Sequence, residues 1–265
     1  LKSLTGPFED RWRAFLTSRR KVVRRAFTLP YQKEDSLLLE GVVYTSIFNP
    51  TDGRKNWIDL LTAFQTALAD CDDATLIVKL ITSRPEEAMK VIRFYLERDI
   101  PHRCRVVFLC DYLTGQQMAD LAQVSDYYLQ ATRAEGNCLP LMNFLAAGRP
   151  GVSPRHSAIG DYFDDDFGFV VESHQEPAAW PHDRKLRIRS TWGRLVWPSL
   201  VEQIRASYET AKREPSQYAA MSNRCRGKMS GWAHESVIWS QLEAALSATH
   251  ERATAQGSTS TRKAA

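Results

Sequence analysis

The chain has 265 residues, 43% hydrophobic and 25% charged, with a formal net charge of +4. This balance excludes global disorder, and so mild a positive charge does not argue for nucleic acid as a partner. No apolar run reaches the roughly 18 residues of a membrane-spanning helix, no secretory signal is visible, and the first residue is Leu rather than Met, which suggests a fragment of a longer protein.

The chain opens with Phe8, Trp12, Phe15, Val22 and Ala26 at helical spacing, opposite Arg19, Arg20, Lys21, Arg24 and Arg25. We expect an amphipathic basic helix and linker over residues 1–40. Its charged face is either the solvated side of a docked helix or a surface for an anionic membrane. From Gly41 strands and helices alternate. Gly41–Phe48 reads as a β-branched strand, Trp57–Ala69 as a helix with an apolar stripe, and Ala74–Ile81 as a buried strand. Ser83 and Glu86 suggest a capping box for a helix through Tyr95, and Thr114 with Gln117 suggests another. Arg105–Leu109, Asp126–Leu129, Gly151–Ser153 and Phe167–Val171 complete the strands. Residues 172–197 read as irregular, Pro198 to Ala248 as helical, and 251–265 as a disordered tail.

The rhythm predicts an α/β fold, a Rossmann-like parallel sheet with helices on both faces and a helical C-terminal segment. Ligands of such sheets bind outside the carboxyl ends of the strands. The loops 49–56, 132–139 and 153–160 should therefore share one crevice. In the first, Arg54 and Lys55 follow an Asp-Gly turn; a planar fork and a compact charge suit a diphosphate. In the second, Glu135 and Gly136 precede an apolar run that ends at Gly148-Arg149-Pro150. We expect them at a helix N-terminus, where free N–H groups hold a polar, phosphorylated ligand. In the third, His156 either touches a phosphate or sugar hydroxyl or is structural. Asp164–Asp166 read as a solvated turn. Cys71, Cys104, Cys110, Cys138 and Cys225 lack C-x-x-C spacing, so they read as free thiols of a reducing, cytoplasmic compartment and not as metal ligands.

From Gly41 to Ala248 these loops and their order resemble the C-terminal, donor-binding half of a GT-B glycosyltransferase of the retaining family 4 type. Lys55 matches that family's diphosphate-binding Lys, with Arg54 adjacent. Glu135 matches the first Glu of a Glu-x7-Glu motif, near the donor sugar. Gly136, Asn137, Cys138 and Leu139 match the backbone that follows it. The second Glu, which binds the ribose, is Asn143 here, an amide without the charge-assisted bond. The resemblance implies transfer of a sugar from a UDP- or GDP-linked donor to a glycan, lipid-linked or protein acceptor, in surface polysaccharide or glycoconjugate synthesis. It implies retention of configuration, no metal and no other cofactor, with Lys55 and Glu135 carrying the chemistry. It also implies a separate N-terminal domain that holds the acceptor, so this chain alone should transfer little sugar. The last helix, Ser236–Leu246, would cross back to that domain, leaving Trp232, Trp239 and Leu242 exposed. The alternative is a non-catalytic homologue that binds a sugar nucleotide or glycan.

Overall fold

The computed structural model describes residues 21–28, 32–96, 100–178, 180, 183, 185, 187 and 189–261, and of 21–37, 96 and 250–261 the backbone alone. One sheet contains β1 (Lys21–Thr28), β2 (Gln32–Leu39), β3 (Val42–Phe48), β4 (Ala74–Leu80), β5 (Arg105–Leu109), β6 (Tyr127–Leu129), β7 (Gly151–Pro154) and β8 (Gly168–Val171). Its order is β2-β1-β5-β4-β3-β6-β7-β8. The strands from β5 to β8 are parallel, and β1 runs antiparallel to both β2 and β5. A separate two-stranded ladder pairs β9 (Ser173–Pro177) with β10 (Thr191–Leu195).

The helices are α1 (Trp57–Ala67), α2 (Pro85–Leu96), α3 (Gly115–Val124), α4 (Leu139–Ala146), α5 (Trp197–Arg213), α6 (Pro215–Ala233) and α7 (Glu235–Thr261). β3 and β4 are buried along their whole length, as expected of parallel strands covered on both sides. Their side chains alternate with the period of two that a pleated strand imposes. Val42, Tyr44, Leu76 and Val78 pack with α1, α2 and α5. Val43, Ile47, Ile77 and Val107 pack with α3, α4 and α6. There are thus two cores, one on each face of the sheet.

Four expectations are corrected. Residues 21–28 form a strand and not the end of a basic helix; the rest of that helix, residues 8–20, lies outside the described residues. Val22 and Val23 suit a strand, and a sheet partner on each side outweighs a weak helical spacing. The tail is helical to Thr261 instead of disordered from 251, because Glu251, Arg252, Ala253, Ala255 and Gln256 are good helix formers that continue α7. The Thr114–Gln117 capping box is present. At α2 it is the Thr82 hydroxyl, not a Ser83 box, that accepts from the Arg84 N–H. Trp239 and Leu242 are exposed, but Trp232 packs on Tyr162 with ring centroids 5.2 Å apart. No helix among the described residues is long and apolar enough to cross a membrane.

Candidate functional site

The sheet reverses its building direction between β3 and β6. The chain builds outward from β3 to β4 and β5, then returns to β6 on the other side of β3. Connections that leave two such neighbours turn to opposite faces and open a crevice between them. The β3 and β6 loops therefore meet where this architecture puts a ligand.

After β3, Asp52 caps a one-turn 3-10 helix over Gly53–Lys55, its carboxylate accepting from the Arg54 N–H. Asn56 takes a left-handed conformation (φ 50°) and turns the chain into α1. This short turn projects Arg54 and Lys55 toward the β6 loop. Lys55 Nζ donates to Glu135 Oε1 at 2.5 Å, and an Arg54 guanidinium N–H donates to Glu135 Oε2 at 3.2 Å. Arg54 also donates to Asp52 Oδ2 (2.9 Å) and to the Ala134 carbonyl (2.7 Å). The backbones are tied as well, with the Arg133 N–H donating to the Arg54 carbonyl at 2.8 Å. The Glu135 side chain is 7% exposed, against 21% for Lys55 and 24% for Arg54. The carboxylate thus lies underneath and the cations form the outer layer. Burial disfavours the Arg54 charge, but the fields and hydrogen bonds of Glu135 and Asp52 outweigh it and raise its pKa.

The third loop joins them through one polar chain. The Glu135 N–H donates to Ser157 Oγ (3.0 Å), and the Ser157 hydroxyl lies 3.1 Å from His156 Nδ1. His156 Nε2 lies 3.0 Å from the Thr132 carbonyl. A carbonyl only accepts, so Nε2 carries the proton and Nδ1 accepts from Ser157. Burial lowers the pKa of His156, which favours this neutral form. Both ring nitrogens of His156 are thus engaged within the protein.

The segment that reads as irregular in the sequence supplies a fourth wall. Gly193 of β10 donates its N–H to the Arg133 carbonyl at 2.6 Å. The Arg133 guanidinium lies 5.2 Å from the Trp192 ring centroid. A Cβ at position 193 would stand 2.3 Å from His156 Cδ2, so this close approach needs glycine. Arg133 and Ser157, both beside residues singled out above, were missed. A third cation two residues before Glu135 was the available signal.

Helix α4 begins at Leu139, later than expected, and Glu135 and Gly136 belong to the loop before it. Cys138 is left-handed (φ 54°) and Pro140 favours the first turn. The Cys138 thiol turns into the core, donates to Gln130 Oε1 at 2.8 Å, and is pushed by burial up to about 12. Tyr162 fixes the loop by donating to the Asn137 carbonyl at 2.7 Å. Gly136, Asn137, Leu139 and Asn143 are exposed. The three loops thus converge, with Arg54, Lys55 and Glu135 in contact and Asn143 just over one turn into α4. Asp164–Asp166 lie in the turn before β8, and no group of three metal-ligating side chains occurs among the described residues.

The C-terminal domain of a glycosyl transferase group 1 family protein from Francisella tularensis superimposes with a TM-score of 0.51 at 14% identity, over 73% of this chain and 87% of that domain. Trehalose 6-phosphate synthase from Burkholderia multivorans gives 0.57 at 13% identity, over 82% of this chain and 44% of that one. Staphylococcus aureus TarM, solved in complex with UDP, gives 0.52 at 12% identity, over 76% and 34%. The fold is that of the C-terminal, Rossmann-like half of a GT-B protein. The chain spans less than half of these longer neighbours and most of the isolated domain. No family model and no curated relative matches the sequence.

Proposed function

We propose that this GT-B domain binds a nucleoside-diphosphate sugar and serves as the donor half of a retaining, metal-independent glycosyltransferase. The observation that carries the reading is the Arg54–Lys55–Glu135 cluster at the point where the sheet reverses. Sugar transfer leaves negative charge on the departing diphosphate, and preorganised cations there stabilise it more than they stabilise the bound donor. Arg54 and Lys55 lie outermost and already converge on one carboxylate. A diphosphate carries more charge than that carboxylate and takes its place, which frees Glu135 to accept hydrogen bonds from the donor sugar. The loop 136–138 supplies backbone N–H groups beside it. The UDP held by TarM supports a donor of this class, UDP- or GDP-linked, with Asn143 offering an amide edge to the ribose. The acceptor, a glycan, lipid-linked or protein hydroxyl, would be held by a separate domain.

Asn143 and the neutralised cations favour one second reading, a domain that binds sugar nucleotides without transferring sugar. Calorimetry with UDP and GDP tests the shared site. Binding that weakens about tenfold or more in Lys55→Ala is the expected result; unchanged affinity removes it. Hydrolysis of the donor sugar with net retention by the complete enzyme, followed by NMR, separates enzyme from binder.

A further inference from the structure

The β9–β10 hairpin carries a charge that the donor site does not use. From Arg184 to Arg194 the sequence holds five cations and no carboxylate, with Lys185, Arg187 and Arg189 at every second residue. The whole chain balances 35 cations against 31 carboxylates, so this stretch is a local excess. Lys185, Arg187 and Arg189 are exposed and form no ion pair among the described residues. Arg194 lies 3.6 Å from Glu176 with its side chain 73% exposed, a surface pairing of little strength. The hairpin is anchored in the donor crevice. The Gly193 N–H donates to the Arg133 carbonyl at 2.6 Å, and Trp192 lies against the Arg133 guanidinium. Trp180 packs on Trp192 with ring centroids 5.5 Å apart. Four residues of chain reach at most about 14 Å, so the Arg189 backbone stands within that distance of Gly193. Arg155, next to the His156 ring that faces Gly193, adds another exposed cation.

We propose that this arm binds an anionic glycan, the acceptor, through carboxylate or phosphate groups that flank the hydroxyl to be glycosylated. The acceptor role rests on the donor-site reading above; the binding surface does not. Guanidinium forks match carboxylates and phosphates in pairs of parallel hydrogen bonds. Cations repeated along one stretch suit a ligand whose charges also repeat, and their summed field concentrates such a ligand beside the crevice. A bilayer fits less well. A segment that lies on a membrane buries a broad apolar face. Apart from Pro177, the exposed side chains described between Glu172 and Arg194 are polar or charged. Trp192 is only 8% exposed, and Leu186 and Ile188 alternate singly with the cations in the sequence.

The test is titration of the full chain at low salt with labelled oligogalacturonate, a phosphomannan oligosaccharide and neutral dextran. At least one anionic glycan should bind and dextran should not; binding of neither overturns the proposal. The triple variant Lys185→Ser, Arg187→Ser, Arg189→Ser should weaken that binding by about tenfold or more, with UDP affinity and thermal midpoint unchanged. A control variant, Lys90→Ser, Arg103→Ser, Arg213→Ser, removes as many exposed cations from other elements and should stay within about twofold of the unsubstituted chain. Equal losses in the two variants reduce the effect to net charge and overturn the proposal. UDP should not displace the glycan, since displacement would put the anion on Arg54 and Lys55 instead. Sedimentation with phosphatidylglycerol vesicles that needs the hairpin cations, without glycan binding, overturns it in favour of a membrane. Failure of UDP to bind while the glycan still does removes the donor site and the acceptor role, and leaves the glycan surface standing.

Discussion

Glu135 sits beneath two cations that the proposed chemistry needs for a diphosphate, so it competes with the ligand it is meant to orient. The consequence is opposite in sign for two measurements. In Glu135→Gln the two cations lose their internal anion, so UDP or GDP without a sugar should bind as tightly or more tightly. Sugar transfer by the complete enzyme should fall, because an amide accepts the sugar hydroxyls more weakly. Calorimetry and a transfer assay read the two effects separately; loss of nucleotide binding in this variant would contradict the exchange. His156 gives a pH signature. Its pKa is lowered in the folded chain by burial, so the unfolded chain takes up the proton more readily below its ordinary value of about 6.5. Stability is then full above that value and lost progressively as pH falls from it through the lowered value of the folded chain. The thermal midpoint should drop between pH 7.5 and 5.5, and His156→Gln, which still donates to Thr132, should flatten that slope.

At the scale of elements, the parallel strands were legible because strands covered on both faces carry near-continuous apolar runs, as in Val42–Phe48 and Ala74–Leu80. The Arg54–Lys55 turn and the Glu135 loop were legible as strand-end loops, and the crevice followed from topology. The β9–β10 hairpin was not. Ser173–Pro177 contains no large apolar residue, and the pairing is fixed by its contact with the Arg133 loop, which a local pattern does not record. The β1–β2 pair was concealed differently: a helical spacing that ran on through Val22 and Ala26 hid a strand whose one partner, β2, follows it directly and whose other, β5, is distant in sequence. Two glycines test this balance of local and tertiary effects. Gly193→Ala places a methyl against His156 and should cost about 1–3 kcal/mol, as overpacking does. Gly227 lies exposed inside α6, and a methyl group added there would meet only open space. Gly227→Ala should therefore stabilise by about 0.5–1 kcal/mol from helix propensity alone. Urea unfolding of both variants reads the two signs.

For the whole molecule, the helices after β10 close both cores, and they do so unequally. Leu200, Ile204 and Tyr208 of α5 cover the face shared with α1, and Cys225 and Met229 of α6 cover the face shared with α3 and α4. Tyr44 donates or accepts a hydrogen bond with Ser207 at 2.8 Å, and the Tyr208 hydroxyl reaches Asp73 at 2.5 Å, so α5 also straps the ends of β3 and β4. Burial of such side chains contributes roughly 1.5–3 kcal/mol each, a sum comparable with the net stability of about 5–15 kcal/mol that a domain retains. Helix α7 differs. From Glu235 to Thr249 its side chains are exposed except for the half-buried Val237, and Trp239 is 61% exposed. A chain ending at His234 should therefore keep a cooperative thermal transition within a few degrees of the full chain. One ending at Val196 should lose it, because both faces of the sheet open at once. Circular dichroism melts of the two truncations decide this. A collapsed transition in the longer one would mean that α7 holds the fold through contacts beyond its own exposed stripe.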